Sequence, residues 1–230
     1  GVVDITQPHD SVGMAVQGKI DAPSGVPDST AFGDWRGTQD VYIVDLGLNY
    51  LGQAQGLRKV RFIAVNDSEY RFELARLDGS QLTTITVPKD HSRIFTCYKM
   101  GGSVVPIEPL RTNWDLVVTK YTHQFYEPYM PYLVSGMLSA NGVRVAVLPH
   151  AELESVTLAD TLAHPFSTAR NAIGYDWKYY SFESASYIVD RTKVYIVQDA
   201  EGAFFKLHFV DFYNQQGRPG CPQFEVVALP

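Results

Sequence analysis

Apolar and polar residues alternate along much of this chain, and a two-residue period marks strands whose two faces meet different surroundings. Tyr70, Phe72 and Leu74 share one face while Glu69, Arg71 and Glu73 share the other, which predicts a half-solvated strand. Ile94, Thr96 and Tyr98 oppose Phe95 and Cys97, as in a strand covered on both sides. Trp114, Leu116 and Val118 alternate with Asp115, Val117 and Thr119, and Phe205, Leu207 and Phe209 alternate with Lys206 and His208. The apolar run Val194-Tyr195-Ile196-Val197 precedes the turn Asp199-Ala200-Glu201-Gly202, so residues 193–209 read as a hairpin. Further strands are predicted at 41–46, 59–65, 82–87, 132–140, 143–148, 187–189 and 224–229. Asp78-Gly79-Ser80 and Asn141-Gly142 supply turn chemistry between them. The one helical candidate is 152–162, short and rich in Thr. The pattern is all-β.

Composition narrows the class. With 230 residues, 45% hydrophobic and 19% charged, the chain is globular and long enough for one large β domain or two small ones. Residues 1–39, with Pro8, Pro23 and Pro27 among scattered Asp, Ser and Gly, read as a tether or arm. Residues 40–230 form the β domain, divisible into halves 40–110 and 111–230 after Pro106 and Pro109. A net charge of −6 offers no basic field for phosphates, which argues against nucleic acid as a partner. No apolar run approaches a membrane span. A chain opening on Gly1 without a signal sequence reads as a mature fragment. Cys97 and Cys221 either pair or stay as buried thiols; composition does not choose.

Enzyme signatures are missing. The histidines His9, His91, His123, His150, His164 and His208 form no His-x3-His pair and no zinc-spaced cluster. Neither a Gly-x-Ser-x-Gly elbow nor a phosphate-cradling glycine loop occurs. The aromatic content of 13% is what stands out. It peaks in residues 121–132, where Tyr126, Tyr129, Met130 and Tyr132 stand with His123 and two prolines, Pro128 and Pro131, and could wall a planar ligand. Rings at strand ends more often pack on their own sheet, and that is the favoured reading of the segment taken alone. His150 follows Leu148-Pro149 where a strand yields to a loop; it reads either as an exposed loop residue or as a neutral imidazole aimed at a metal. His208 falls on the polar face of its strand and is expected to face solvent.

Several motifs, in order, carry a family resemblance. They are Asn113-Trp114-Asp115 before an alternating strand, Ile173-Gly174-Tyr175-Asp176-Trp177-Lys178, the Val-Tyr-Ile-Val run, Phe205-Lys206-Leu207-His208-Phe209, and Gly217-Arg218-Pro219-Gly220 leading to Phe224-Glu225. Together they resemble the HmuY-type haem-binding lipoproteins, over roughly residues 112–230 and more weakly before that. The resemblance implies an all-β, HmuY-like β-sheet or sandwich architecture with few or no helices. It also implies a non-enzymatic haemophore at the outer membrane or cell surface, or released outside the cell. Haem would be the cofactor, a TonB-dependent outer-membrane haem receptor a partner, and membrane contact would come only through a lipid anchor ahead of Gly1. Counting from Trp177, one ligand histidine of the family falls near His150, the expected metal ligand. The other falls near Phe182, which cannot ligate iron, so either Tyr179, Tyr180, Met130 or Met137 completes the set, or ligation is one-sided, or this member does not bind haem as its relatives do. The pocket walls are expected from Tyr126, Tyr129, Met130, Tyr179, Tyr180 and Phe182. A β-sandwich for adhesion or glycan binding without haem is the alternative, and a purely structural surface subunit a third.

Overall fold

The computed structural model describes residues 3–10 and 18–230. Parts of the expected arm, residues 1–2 and 11–17, lie outside the described residues. The chain is all-β: every sheet is antiparallel, and helix is limited to short pieces among the described residues. It divides into two compact units, Gly1–Lys19 with Ala31–Arg111, and Ile20–Thr30 with Thr112–Pro230.

Unit 1 is one sheet of four strands in sequence order, β1 (Tyr42–Asp45), β2 (Leu57–Val65), β3 (Glu69–Ala75) and β4 (Thr83–Pro88). Consecutive hairpins give this meander, and alternation decides its buried face. Val60, Phe72, Leu74 and Val87 form its core, with Phe62, Ile85 and Tyr98 packed alongside. The chain before β1 packs on this unit too: Trp35 stacks on Phe62 at 4.7 Å, and Ile5 is fully buried. The buried Lys59 ammonium donates to the carbonyls of Asp4 and Gln7, at 2.8 and 2.5 Å. Residues 94–98 are a correction, because their alternation does not make a strand. Asp90 and Ser92 hold a turn there, and the Asp90 amide donates to Thr96 Oγ1 at 3.0 Å. Such local side-chain bonds offer the backbone a rival to ladder pairing. Only a single bridge, Tyr98 with Val104, remains.

Unit 2 holds a long hairpin of β5 (Leu116–Tyr126) and β6 (Tyr129–Ser139), paired without a slip from Leu116 opposite Ser139 to Tyr126 opposite Tyr129. A four-stranded sheet follows in the order β12 (Pro219–Leu229), β11 (Phe204–Tyr213), β10 (Val194–Gln198), β7 (Arg144–Leu148). The short pair β8 (Lys178–Ser181) and β9 (Ser186–Val189) completes it. The centre of the unit is β10, apolar at every residue from Val194 to Val197 because both its faces are covered. Val194 and Ile196 join Ala146, Leu148, Leu153, Val156 and Leu229 in one core. On the other side, Tyr195 meets Phe209 edge to face, and Phe209 stacks on Trp177 at 3.8 Å and 6°. The expected helix at 152–162 is broken: a 3-10 turn at Leu153–Ser155 and one helical turn, α1 (Asp160–Ala163), are separated by Thr157, whose amide and hydroxyl Asp160 accepts. His208 corrects the solvent-facing expectation, its side chain being 15% exposed with Nε2 3.1 Å from Glu225. Cys97 is half-buried, Cys221 exposed, and both are free thiols.

Candidate functional site

The segment Ile173-Gly174-Tyr175 docks on β6, and that contact shapes the site. The Met137 amide donates to the Gly174 carbonyl at 2.8 Å, and the Gly174 amide to Met137 O at 3.1 Å. A Cβ on Gly136 would sit 2.4 Å from Gly174 O, so the approach requires glycine there. Gly174 itself takes φ +66°, which turns the chain toward Trp177. The Trp177 indole then donates back to Gly174 O at 3.2 Å and is wholly buried.

Beyond that contact the chain leaves a cavity of about 540 Å³, inside the range of small-molecule sites. Phe125 on β5, Met130, Tyr132 and Leu133 on β6, Tyr175, Tyr179 and Tyr180 around β8, Tyr187 on β9 and Phe212 on β11 line it. Polar chemistry is sparse: phenol hydroxyls, the Ser135 side chain, Asp176 and Lys178. Asp176 is held by Lys193 at 2.9 Å. Lys178 is 7% exposed, and its ammonium lies 4.1 Å from the Trp177 ring and 4.6 Å from that of Phe212. It donates to Ser135 O at 2.6 Å and Tyr175 O at 3.3 Å. Burial pulls its pKa down to about 8, opposed in part by Asp176. At neutral pH it is therefore still mostly a cation, held by ring faces and carbonyls in place of water. Burial, then Asp176, pushes the Tyr175 phenol up, and burial pushes Tyr121 up strongly, so both stay neutral donors.

Of the residues expected at the site, Met130, Tyr179 and Tyr180 come together on this cavity. Tyr126 and Tyr129 oppose each other at the hairpin end, and Phe182 packs edge-on against Tyr180 at 5.3 Å; none of the three lines the cavity. His150 is exposed in the turn after β7, at φ +60°, and does not line it either. Met137, 1% exposed, is core. Sequence reasoning missed Tyr187, Phe212 and Lys178 as liners, although Lys178 closes the quoted motif from Ile173. His123, in the aromatic segment 121–132, packs at 4.9 Å against both Phe125 and Tyr175.

A family model described as HmuY protein matches residues 66–226, more than half of the chain. The chain belongs to the HmuY family. All cavity residues fall inside the HmuY match, as does the whole of β10 and β11. No curated protein and no solved structure matches the chain.

Proposed function

We propose that this HmuY-family chain binds haem in the aromatic cavity of unit 2 and serves as a haemophore at the cell surface. The observation that carries the reading is a half-open apolar cavity walled by rings from five separate segments, with one thioether and five phenols among its liners. Those residues fit the group: a porphyrin is flat and greasy, and burying it contributes about 25 cal/mol per Å². Bound haem would supply an iron centre, for which phenolate and thioether are both known donor types. In this reading Met130 and Tyr179 or Tyr180 hold the iron, and Tyr132, Tyr187 and Phe212 bury the ring. Lys178 places a positive charge beside an anionic ligand. Surface attachment through lipid and hand-over to a TonB-dependent receptor belong to the same reading and rest on family membership alone. Among the described residues no helix is long and apolar enough to cross a membrane.

The test is a titration of the chain with ferric haem, followed in the Soret region. The expected result is a band distinct from that of free haem, saturating near one equivalent; a spectrum like that of free haem overturns the reading. Adhesion or glycan binding is the second reading, favoured by Tyr126 and Phe182, which are 77% and 90% exposed outside the cavity. Saturable binding to a glycan array without a Soret change would select it.

A further inference from the structure

Unit 1 carries its own cavity, of about 640 Å³, on the face that buries Phe72 and Leu74. Register decides its chemistry. Lys59 stands opposite Ala75 and Val60 opposite Leu74, and Arg58 and Arg76 are the next residues along the two chains beyond the last pair. Both arginines line the cavity, and Leu74, Ile85 and Tyr98 give it an apolar side. Like charges directly opposed across a strand pair repel. The same ladder places Glu73 opposite Arg61 and joins them at 2.6 Å, so a carboxylate is supplied where the two strands need one. None is supplied to Arg58 and Arg76: among the described residues neither forms an ion pair, and no carboxylate lines the cavity. Arg58 spends one donor on its neighbour Leu57 O at 2.9 Å. Asp78, the acid whose charge feels Arg76, accepts from the Ser80 amide at 2.8 Å.

We propose that this cavity is a second binding site, for a small amphiphile whose oxyanion (a carboxylate or a phosphate) lies between Arg58 and Arg76. Two guanidinium forks offer more donors than one oxyanion can accept, and pairing there relieves their mutual repulsion. The apolar part lies along Leu74, Ile85 and Tyr98. Arg58 precedes the HmuY match, which begins at residue 66, and none of the residues lining this cavity lines the aromatic one.

The test is a titration of the 15N-labelled chain with octanoate and octyl phosphate, against 1-octanol and acetate as the tail and the head alone. One or both anionic amphiphiles should shift the amides of Tyr98, Gly101 and Gly102 and bind at least about tenfold tighter than octanol or acetate. Arg76→Gln, at an exposed position, keeps the fold and should erase that difference. Equal binding of octanoate, octyl phosphate and octanol, shifts confined to residues outside unit 1, or unchanged affinity in Arg76→Gln would each overturn the proposal.

Discussion

The two cavities are similar in size and opposite in construction. That of unit 2 rests on rings and one buried cation held by two carbonyls and the faces of Trp177 and Phe212. That of unit 1 sits at the end of a strand ladder and carries two guanidiniums with no carboxylate among the lining residues. The first is suited to a flat apolar group and the second to an anion with a short tail. A β meander or hairpin leaves gaps wherever strands end, and the liners, not the topology, decide what a gap can hold.

The largest expected effect tests how the aromatic cavity is founded. Trp177 is fully buried and stacked on Phe209, so Trp177→Ala should cost about 3–5 kcal/mol in chemical denaturation. A loss under about 1 kcal/mol would mean that the stack is not the platform. The cation above it gives a pH signature. Because the folded pKa of Lys178 lies near 8, below its ordinary value of 10.5, the unfolded chain binds more protons between those limits. Stability should therefore rise with pH from about 8 to 10 relative to Lys178→Met, by about 1–3 kcal/mol. Parallel pH profiles for the two proteins would contradict a buried ammonium.

The smallest effect separates the two arginine settings of unit 1. Arg61→Gln strands a Glu73 side chain that is 15% exposed, and should cost about 1–2 kcal/mol. Arg58→Gln removes a repulsion and should leave stability unchanged or slightly higher, within about 0.5 kcal/mol. Equal losses in thermal melts would erase the distinction drawn from the register.

Much of this fold is legible from spacing. β3, β7, β10 and β11 follow directly from alternation or from an unbroken apolar run, and the hairpin around Gly202 from its turn residues. Residues 94–98 show where that logic stops, since the Asp90 carboxylate accepts from the Ser92 amide and the Thr96 hydroxyl from the Asp90 amide in place of a strand ladder. The site was half legible. Met130, Tyr179 and Tyr180 could be named because they lie in dense aromatic stretches. Phe212 and Tyr187 could not, because their part depends on Trp177 and β9 being brought against β11, contacts between residues far apart in sequence. The family register pointed to His150, but register along a chain does not say which way a turn faces, and His150, exposed in its turn, is not among the lining residues.

Which side chains reach bound iron decides between the cavity and the His150 turn as the haem site. Soret spectra of haem complexes of the parent chain, His150→Ala, Met130→Ala and Tyr179→Phe/Tyr180→Phe address it directly. The cavity reading predicts an unchanged band for His150→Ala and a displaced or weakened band for the Met130 and double-tyrosine variants. A band that moves only when His150 is removed would contradict it.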